Sequence, residues 1–286
     1  MNSKKIKVFD VCNYFILSMI AIACVLPFIN IIASSFATTA EILNSTFLLF
    51  PTTFTLDAYK YIFSTDVIFK SLGVSIFVTF VGTSLSLIAT MLLAYGLSRK
   101  YLIGRSFFNF MIVFTMLFSG GMIPGFLLVK NLGLIDTYWA LIIPGLIDAF
   151  NFIIMRNFFQ ALPESLEESA KIDGANDLTV FFKIYLPLAL PSIATIGLFY
   201  AVNYWNTYMS AILYINDAAK WPIQILLRQI VIISSGIQSD PTINVVPPAA
   251  SIKMAVIVVA TVPMLLVYPF VQRYFIKGAL IGSVKG

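Results

Sequence analysis

Long runs of apolar residues recur through almost the whole length of this 286-residue chain. A helix needs about 20 residues to cross the hydrocarbon core of a bilayer, and six stretches reach that length. Backbone polar groups cannot stay unpaired in lipid, so each span must be helical unless a barrel closes, and the alternating pattern of a barrel is absent from the sequence. The sequence therefore predicts an all-α integral membrane protein with six transmembrane helices, near residues 13–35, 71–97, 107–129, 137–157, 185–206 and 252–272.

Composition supports a membrane protein and disfavours an enzyme. Hydrophobic residues make up 59% of the chain and charged residues only 11%, which excludes a soluble globular domain. There is no histidine, and the two cysteines, Cys12 and Cys24, lie too far apart on one helix to bridge. We therefore expect no metal site, no bound cofactor and no catalytic residues. A phosphate-binding Gly-x-x-x-x-Gly-Lys-Ser/Thr motif is missing as well, so this chain does not hydrolyse ATP itself.

The basic residues predict the orientation in the membrane. Four groups of three fall on one side of a six-span arrangement, and the positive-inside rule assigns that side to the cytoplasm. Both termini and the polar residues 160–184 are then cytoplasmic, and residues 36–70, 130–136 and 207–251 are external. With no internal repeat visible, residues 1–286 are read as a single transmembrane domain. The four groups are Lys4, Lys5 and Lys7; Arg99, Lys100 and Arg105; Arg156, Lys171 and Lys183; and Arg273, Lys277 and Lys285.

Residues 160–184, called the polar loop below, contrast with the apolar chain around them. Pro163 suits a helix start, and the glutamates that follow complement the positive end of the helix dipole. Gly174 can end this helix in the left-handed conformation, and Asn176 or Asp177 can cap a second one that runs toward Pro187. The sequence predicts two short helices joined at Gly174, with the glutamates facing basic residues of a partner. An ordinary solvated linker is the alternative.

Two other spans carry unusual residues. Small residues are dense in the second span, which permits close helix packing. The run Ser119-Gly120-Gly121-Met122-Ile123-Pro124 interrupts the third span, where we expect a broken helix around residues 118–125. In lipid, such a break must be buried in protein or line a cavity.

The polar loop resembles a motif of a known family. Three sequence segments look like the "EAA" loop by which permeases of bacterial ABC importers bind their ATPase: Glu168-Ser169-Ala170, then Asp173-Gly174-Ala175, and, ten residues after Gly174, Ile184-x-Leu186-Pro187. Segments 130–137, 140–144, 203–206 and 272–286 are similar to carbohydrate permeases of the maltose type. Segments 119–121, 155–159 and 227–230 resemble the oligosaccharide branch that includes alginate importers.

This resemblance implies a type I ABC importer transmembrane fold in a bacterial cytoplasmic membrane. It implies a heterodimer with a homologous permease, an ATPase dimer that binds ATP and Mg²⁺, and an external solute-binding protein. Ser169 departs from the usual second alanine, but both residues are small. The residues it implies for ATPase coupling are Glu168, Ser169, Ala170, Asp173, Gly174, Ala175, Ile184, Leu186 and Pro187. The C-terminal residues Ser283, Val284, Lys285 and Gly286 either reach toward the ATPase or form a frayed tail.

Polar and aromatic side chains at membrane depth are candidates for the substrate pathway. Amides and a carboxylate can hydrogen-bond sugar hydroxyls, and aromatic rings can pack on sugar rings. The candidates are Asp148, Asn151, Tyr200, Asn203, Tyr204, Trp205 and Asn206. Polar contacts between helices are the alternative. Because Asp148 is acidic, it would tolerate an uncharged or basic sugar better than a uronate.

The sequence thus predicts a permease subunit of an ATP-driven carbohydrate importer, with oligosaccharides as the expected cargo. One alternative is an ABC importer permease for a non-sugar solute. Another is a secondary transporter, which would require inverted repeats and buried charges for ion relay.

Overall fold

A computed structural model describes residues 8–234 and 250–283, and every regular element in those two ranges is helical. Two 3₁₀ turns, Ile143–Gly145 and Ala218–Lys220, and one π-helical turn, Phe181–Tyr185, lie between α-helices. The α-helices are α1 (Val8–Ser35), α2 (Thr39–Asn44), α3 (Asp57–Ser64), α4 (Asp66–Ser98), α5 (Arg105–Leu117), α6 (Met122–Asn131), α7 (Trp139–Ile142), α8 (Ala149–Ala161), α9 (Glu164–Ile172), α10 (Asp177–Val180), α11 (Leu186–Leu188), α12 (Leu190–Trp205), α13 (Met209–Tyr214), α14 (Ile223–Ser234) and α15 (Ala250–Ser283).

Three helical stretches are apolar and long enough to cross a membrane unbroken. Three further candidates are pairs of helices that bend at a short break, by 118°, 50° and 80°. The described residues therefore hold three spans, or six if each bent pair crosses once. The unbroken stretches are Phe9–Ser35, Asp66–Ser98 and Ala250–Val267, and the pairs are Arg105–Leu117 with Met122–Asn131, Trp139–Gly145 with Ala149–Ala161, and Asp177–Leu188 with Leu190–Trp205.

The first break lies where the sequence analysis expects it. α5 ends at Leu117, and Gly121 has a φ of 89°, a conformation that glycine adopts at little cost. The backbone N–H of Gly121 donates to the Ser119 hydroxyl at 3.2 Å, and α6 begins at the next residue. The broken helix predicted at residues 118–125 is confirmed.

The second break falls at a capping residue, and the third falls between two prolines. The Asp148 carboxylate caps α8, because its Oδ1 accepts the backbone N–H of Asn151 at 2.8 Å. The sequence analysis placed Asp148 near the middle of a span, whereas it lies at the start of α8. The third break falls at Ala189. Pro187 lies before it in α11, and Pro191 lies after it in the first turn of α12.

The chain forms two compact units, and residues 69–226 belong to the larger one. Its core is built around α8, α12 and the segment that follows the polar loop, with Phe152, Phe159, Tyr185 and Ile196 at most 2% exposed. The ring of Tyr95, near the end of α4, packs on the rings of Phe159, Phe181 and Tyr185 at 5.0 to 6.1 Å. The end of α4 is thereby fixed beside the polar loop.

The smaller unit includes residues 8–68. Asn30 in α1 accepts the backbone N–H of Leu48 at 2.9 Å, which holds the segment between α2 and α3 against α1. The ring of Phe36 stacks on those of Phe54 and Tyr59. Residues 36–70 contain two short helices, α2 and α3, before α4 begins at Asp66.

Candidate functional site

The polar loop folds as two short helices joined at Gly174. α9 begins at Glu164, directly after Pro163, and ends at Ile172. Gly174 has a φ of 82°, and the N–H of Ala175 then bonds the carbonyl of Ala170 at 2.9 Å, which closes the helix end. Asn176 caps α10 by accepting the N–H of Thr179 at 2.8 Å. The two helices and the joint predicted from the sequence are confirmed.

The predicted coupling residues divide into an exposed set and a packed set. Glu168, Ser169, Asp173 and Gly174 are exposed, and with Ile172, which is 86% exposed, they form one surface of α9 and its end. We call these five residues the outer face. The residues that instead pack partly buried against the core of the larger unit are Ala170, Ala175, Ile184 and Leu186, while Pro187 is exposed.

Glu167 departs from the expectation that the glutamates face a partner. Its side chain is only 10% exposed and forms an ion pair with Arg99, the first residue after α4. Its other carboxylate oxygen lies 2.8 Å from Nζ of Lys171. The expectation is therefore wrong for Glu167, whose charge is used inside the chain, whereas Glu168 stays exposed.

Two pKa shifts show how closely the charges of the loop are matched. The carboxylate of Glu167 is the main cause of a raised pKa for the Lys171 ammonium, which also lies 3.3 Å from Asp177 Oδ1. The ammonium of Lys100, 2.7 Å away, lowers the pKa of the Glu164 carboxyl. Lys171 and Glu164 therefore stay ionised near neutral pH, so the loop carries fixed charges.

Three of the pathway candidates line one cleft. Asp148, Asn151 and Asn203 surround a space of about 290 Å³ together with Phe150 and Phe199. One oxygen of Asp148 is engaged in capping α8, and Asn151 is itself buried at 4% exposure. The cleft therefore offers a carboxylate, two amides and two aromatic rings.

The tyrosines among the candidates join helices. The hydroxyl of Tyr200 accepts the backbone N–H of Asp148 at 2.9 Å and lies 2.7 Å from the hydroxyl of Thr90. The hydroxyl of Tyr204 lies 2.9 Å from that of Ser86 and donates to the carbonyl of Ile142 at 3.2 Å. Both rings are almost fully buried, so in this structure they serve the helix-to-helix role that the sequence analysis kept as its alternative.

The remaining candidates face different spaces. Asn203 and Asn206 are exposed and line a second cleft of about 380 Å³, beside Tyr208 and Ser210. Trp205 lines a separate apolar cleft with Ile76. The seven candidates thus do not form a single site: Asn203 alone borders both of the first two clefts.

Comparison with known proteins gives the family. A model described as "Binding-protein-dependent transport system inner membrane component" matches residues 82–280, which include the polar loop and both clefts that Asn203 borders. This chain belongs to that family. The permease is therefore the membrane component of an ABC transport system, and the secondary transporter considered from the sequence is excluded.

Relatives and a solved structure extend the match over the whole permease. It is 66% identical over 285 residues to the polygalacturonan/rhamnogalacturonan transport system permease protein YtcP of Bacillus subtilis (strain 168), covering 99% of this chain and 100% of the relative. It is 56% identical over 287 residues to Protein LplC of the same organism, covering 100% and 97%. A crystal structure of a bacterial ABC transporter involved in the import of the acidic polysaccharide alginate is 34% identical in sequence and matches with a TM-score of 0.85, covering 96% of this chain and 99% of that one. The fold is the type I fold of ABC permeases.

Two parts of the predicted site need separate mention. Ser283 ends α15, and Val284, Lys285 and Gly286 lie outside the described residues, so the role of the tail stays a prediction. Arg99 entered the sequence analysis only as a cytoplasmic charge. Its place between two tyrosines of the permease could not be foreseen, because Tyr185 lies 86 residues further along the chain.

Proposed function

We propose that this permease forms half of the translocation pathway of an ATP-driven oligosaccharide importer and couples to a separate ATPase through the polar loop. The observation that carries the coupling role is the outer face. It presents Glu168 and Asp173 together with Ile172, so an acidic and apolar surface stands free on a short helix whose opposite side is packed. Such a surface can bind a groove with basic edges in a partner.

The other components follow from the same proposal. Members of this family work with a second permease, an ATPase and a solute-binding protein. We infer that the second permease is a homologue and forms a heterodimer with this chain, that two ATPase subunits hold ATP and Mg²⁺, and that this chain binds no cofactor. The cytoplasmic position of both termini and of the polar loop belongs to the proposal as well.

Oligosaccharides that contain uronates are the substrate class that the relatives favour. YtcP is named for polygalacturonan and rhamnogalacturonan, and the solved transporter for acidic alginate. The sequence analysis argued from Asp148 against a uronate. Because Asp148 caps α8, its charge is stabilised by the helix N-terminus and is less free to repel a sugar carboxylate. That objection therefore loses most of its force.

Substitution of Gly174 by Asp tests the coupling role. Aspartate tolerates the left-handed backbone better than most residues, and an added Cβ at Gly174 would meet no atom within 4 Å, so the loop should keep its fold. The new side chain and charge would protrude from the outer face. We expect an inserted permease without transport, and normal substrate-stimulated ATPase activity of the reconstituted complex would refute the coupling role.

A competition experiment tests the substrate class. The reconstituted complex, with its binding protein, is given radiolabelled oligogalacturonides in the presence of either unlabelled oligogalacturonides or neutral oligosaccharides of equal length. We expect only the acidic sugars to compete. Equal competition by the neutral sugars, or no uptake of the labelled oligogalacturonides, would reject the proposed substrate.

A further inference from the structure

Arg99 is buried at a place where an arginine could easily reach water. It follows the last residue of α4, and long cationic side chains at helix ends usually extend to the aqueous surface. Its side chain is nevertheless only 9% exposed. The guanidinium carbon lies 4.1 Å from the ring centroids of both Tyr95 and Tyr185, so the charge is stacked between two aromatic faces.

The contacts of Arg99 and its neighbour Tyr95 reach both halves of the polar loop. Nη1 of Arg99 donates to Oε2 of Glu167 in α9 and, at 2.8 Å, to the hydroxyl of Tyr185 in the π-helical turn. The hydroxyl of Tyr95 donates to the carbonyl of Asp177 at 3.2 Å, at the start of α10. One turn at the end of α4 therefore holds α9, α10 and the turn that follows them.

The arrangement is better suited to fixing a position than to adding stability. Nε and Nη2 of Arg99 are buried without a hydrogen-bond acceptor, a cost that an apolar side chain would avoid. A buried ion pair whose remaining polar groups are unsatisfied gives little net stability, and in some proteins such a pair instead selects one arrangement of its partners. Removal of Glu167 would leave the Arg99 guanidinium buried and unpaired, whereas removal of Arg99 would leave Glu167 held only by Lys171.

A second ion pair joins the same two segments and supplies a matched comparison. Lys100 is the next residue after Arg99, and its Nζ lies 2.7 Å from Oε1 of Glu164 in the first turn of α9. These side chains are 77% and 64% exposed, so solvent screens the pair and it constrains α9 weakly. Both pairs therefore join a basic residue after α4 to a glutamate of α9, but only the Arg99–Glu167 pair is buried.

We propose that Arg99 is a positioning residue for ATPase coupling: through Glu167 it fixes α9 on the end of α4, so that the outer face meets the ATPase in one orientation. Movement of α9 is then passed to the α4 span rather than absorbed by the loop. This inference rests on the proposed coupling function of the polar loop, and the pair that carries it contains none of the outer-face residues.

Distance measurement in the full-length permease without its ATPase tests the positioning step directly, because one label is placed in the outer face. Cys12 and Cys24 are replaced by serine, and spin labels are attached at Ile103→Cys and Ile172→Cys, two sites that are 94% and 86% exposed. We expect a single narrow distance distribution in the otherwise unchanged permease. Arg99→Gln and Glu167→Gln should each widen it about twofold, because each removes the ion pair that ties α9 to the end of α4.

Control variants separate positioning from loss of the fold. Lys100→Gln and Glu164→Gln, which break the exposed pair, should leave the distance distribution unchanged. The double variant Arg99→Gln/Glu167→Gln leaves no unpaired charge, so it should insert in normal amounts yet still show the wider distribution. Arg99→Lys keeps the charge but loses the planar guanidinium group, so its distance distribution should be wider than that of the unchanged permease and narrower than that of Arg99→Gln. An unchanged distribution in Arg99→Gln and in the double variant would overturn the inference.

Coupling is then read as ATP hydrolysed per sugar molecule imported in proteoliposomes. We expect this ratio to rise about tenfold in Arg99→Gln while the ATPase still co-purifies, since a misplaced helix wastes hydrolysis. The Lys100→Gln control should keep the normal ratio. A wider distribution with a normal ratio would overturn the inference, because Arg99 would then fix α9 without serving coupling, whereas the Gly174→Asp experiment decides separately whether the polar loop couples to the ATPase.

Discussion

Asp148 shows how one residue can look like a substrate ligand and prove to be a structural cap. Hydropathy places it at membrane depth, where a carboxylate is expensive and usually functional. The structure places it at the start of α8, with one oxygen bound to the N–H of Asn151 and its own N–H bound to Tyr200. It still borders a cleft with Asn203, so both roles meet at this residue.

Two substitutions of Asp148 separate these roles. Asp148→Ala removes the cap, which costs about 1 kcal/mol, and we expect slower uptake with an assembled complex. Asp148→Asn keeps the cap but not the charge, so uptake should stay close to normal. Initial uptake rates, normalised to the amount of complex, provide the measurement. Normal uptake by Asp148→Ala would remove this residue from the pathway, and equal defects in both variants would show that the charge matters.

At this scale the sequence predicts residue types better than residue environments. It singles out Gly174 and Asn176 correctly, because turn and cap preferences act over a few neighbouring residues. It misses the burial of Arg99 and Glu167, which are 68 residues apart and meet only when α4 and α9 pack together. Contacts over such separations leave no local signal in a single sequence.

Close packing between α4 and α12 depends on a glycine. A Cβ built at Gly82 would lie 2.9 Å from ring atoms of Tyr204, which is buried and held by two hydrogen bonds. We expect Gly82→Ala to destabilise the permease by about 1–3 kcal/mol, as overpacking does. A lower melting temperature of the detergent-solubilised permease measures the effect.

Gly96 supplies the control on the same helix. A Cβ there would meet no atom within 4 Å, so Gly96→Ala should cause no loss of stability. Equal melting temperatures for Gly82→Ala and the unchanged permease would contradict the close approach of the Tyr204 ring.

Asp136 connects the segment after α6 with the segment after α13. It has a φ of 63°, unusual for a residue other than glycine, and its Oδ1 accepts the N–H groups of Asn216 and Asp217. Nζ of Lys220 lies 3.0 Å from its Oδ2. The N–H of Asp217, followed by the Lys220 ammonium, holds the pKa of the Asp136 carboxyl below its usual range.

Substitution and pH test this connection. Asp136→Ala loses every side-chain bond and keeps a strained backbone, so we expect a lower melting temperature than that of the unchanged permease. Asp136→Asn tolerates the conformation and should lose less. Folding lowers the pKa of the Asp136 carboxyl. The stability that Asp136 contributes is therefore present above the pKa of the unfolded chain, about 3.9, and is lost as the pH falls through the pKa of the folded permease. The melting temperatures at pH 7 and pH 3 should thus differ less for Asp136→Ala than for the unchanged permease. The same pH dependence in both proteins would argue against the connection.

Among the elements, the sequence predicts the helices whose ends are marked by a glycine or a capping residue, and it misses the π-helical turn. The broken third span and the two helices of the polar loop follow from Gly121, Gly174 and Asn176. The π-helical turn Phe181–Tyr185 has no such signal. It forms where Phe181 and Tyr185 are buried against Tyr95, so tertiary packing decides its geometry.

At the scale of the whole molecule, α4 contacts both regions of functional interest. Its cytoplasmic end, as we assign it, holds the polar loop through Arg99, and further along it Thr90 and Ser86 bond Tyr200 and Tyr204 beside the clefts. No residue of α5 is buried. A transport component in this family works in an assembly, and the exposed apolar surface of α5 is suited to contact with lipid or with a second permease.

Orientation in the membrane is the prediction on which the proposed function as a whole depends, because the polar loop can reach an ATPase only from the cytoplasm. The charge distribution predicts that Ile103 and Ile172 are cytoplasmic and Phe50 is external. All three side chains are at least 84% exposed, which makes them suitable labelling sites. Each is replaced by cysteine in a permease that lacks Cys12 and Cys24.

A maleimide that cannot cross the membrane is then applied to whole cells. We expect it to label Phe50→Cys in intact cells, and Ile103→Cys and Ile172→Cys only after permeabilisation. Labelling of all three sites in permeabilised cells serves as the control for reactivity, and retained uptake by Phe50→Cys and Ile103→Cys, which lie away from the outer face, shows that these variants still assemble. If Ile172→Cys reacted in intact cells, the outer face would lie on the wrong side of the membrane from ATP, and no arrangement of Arg99 and Glu167 could then connect it to an ATPase.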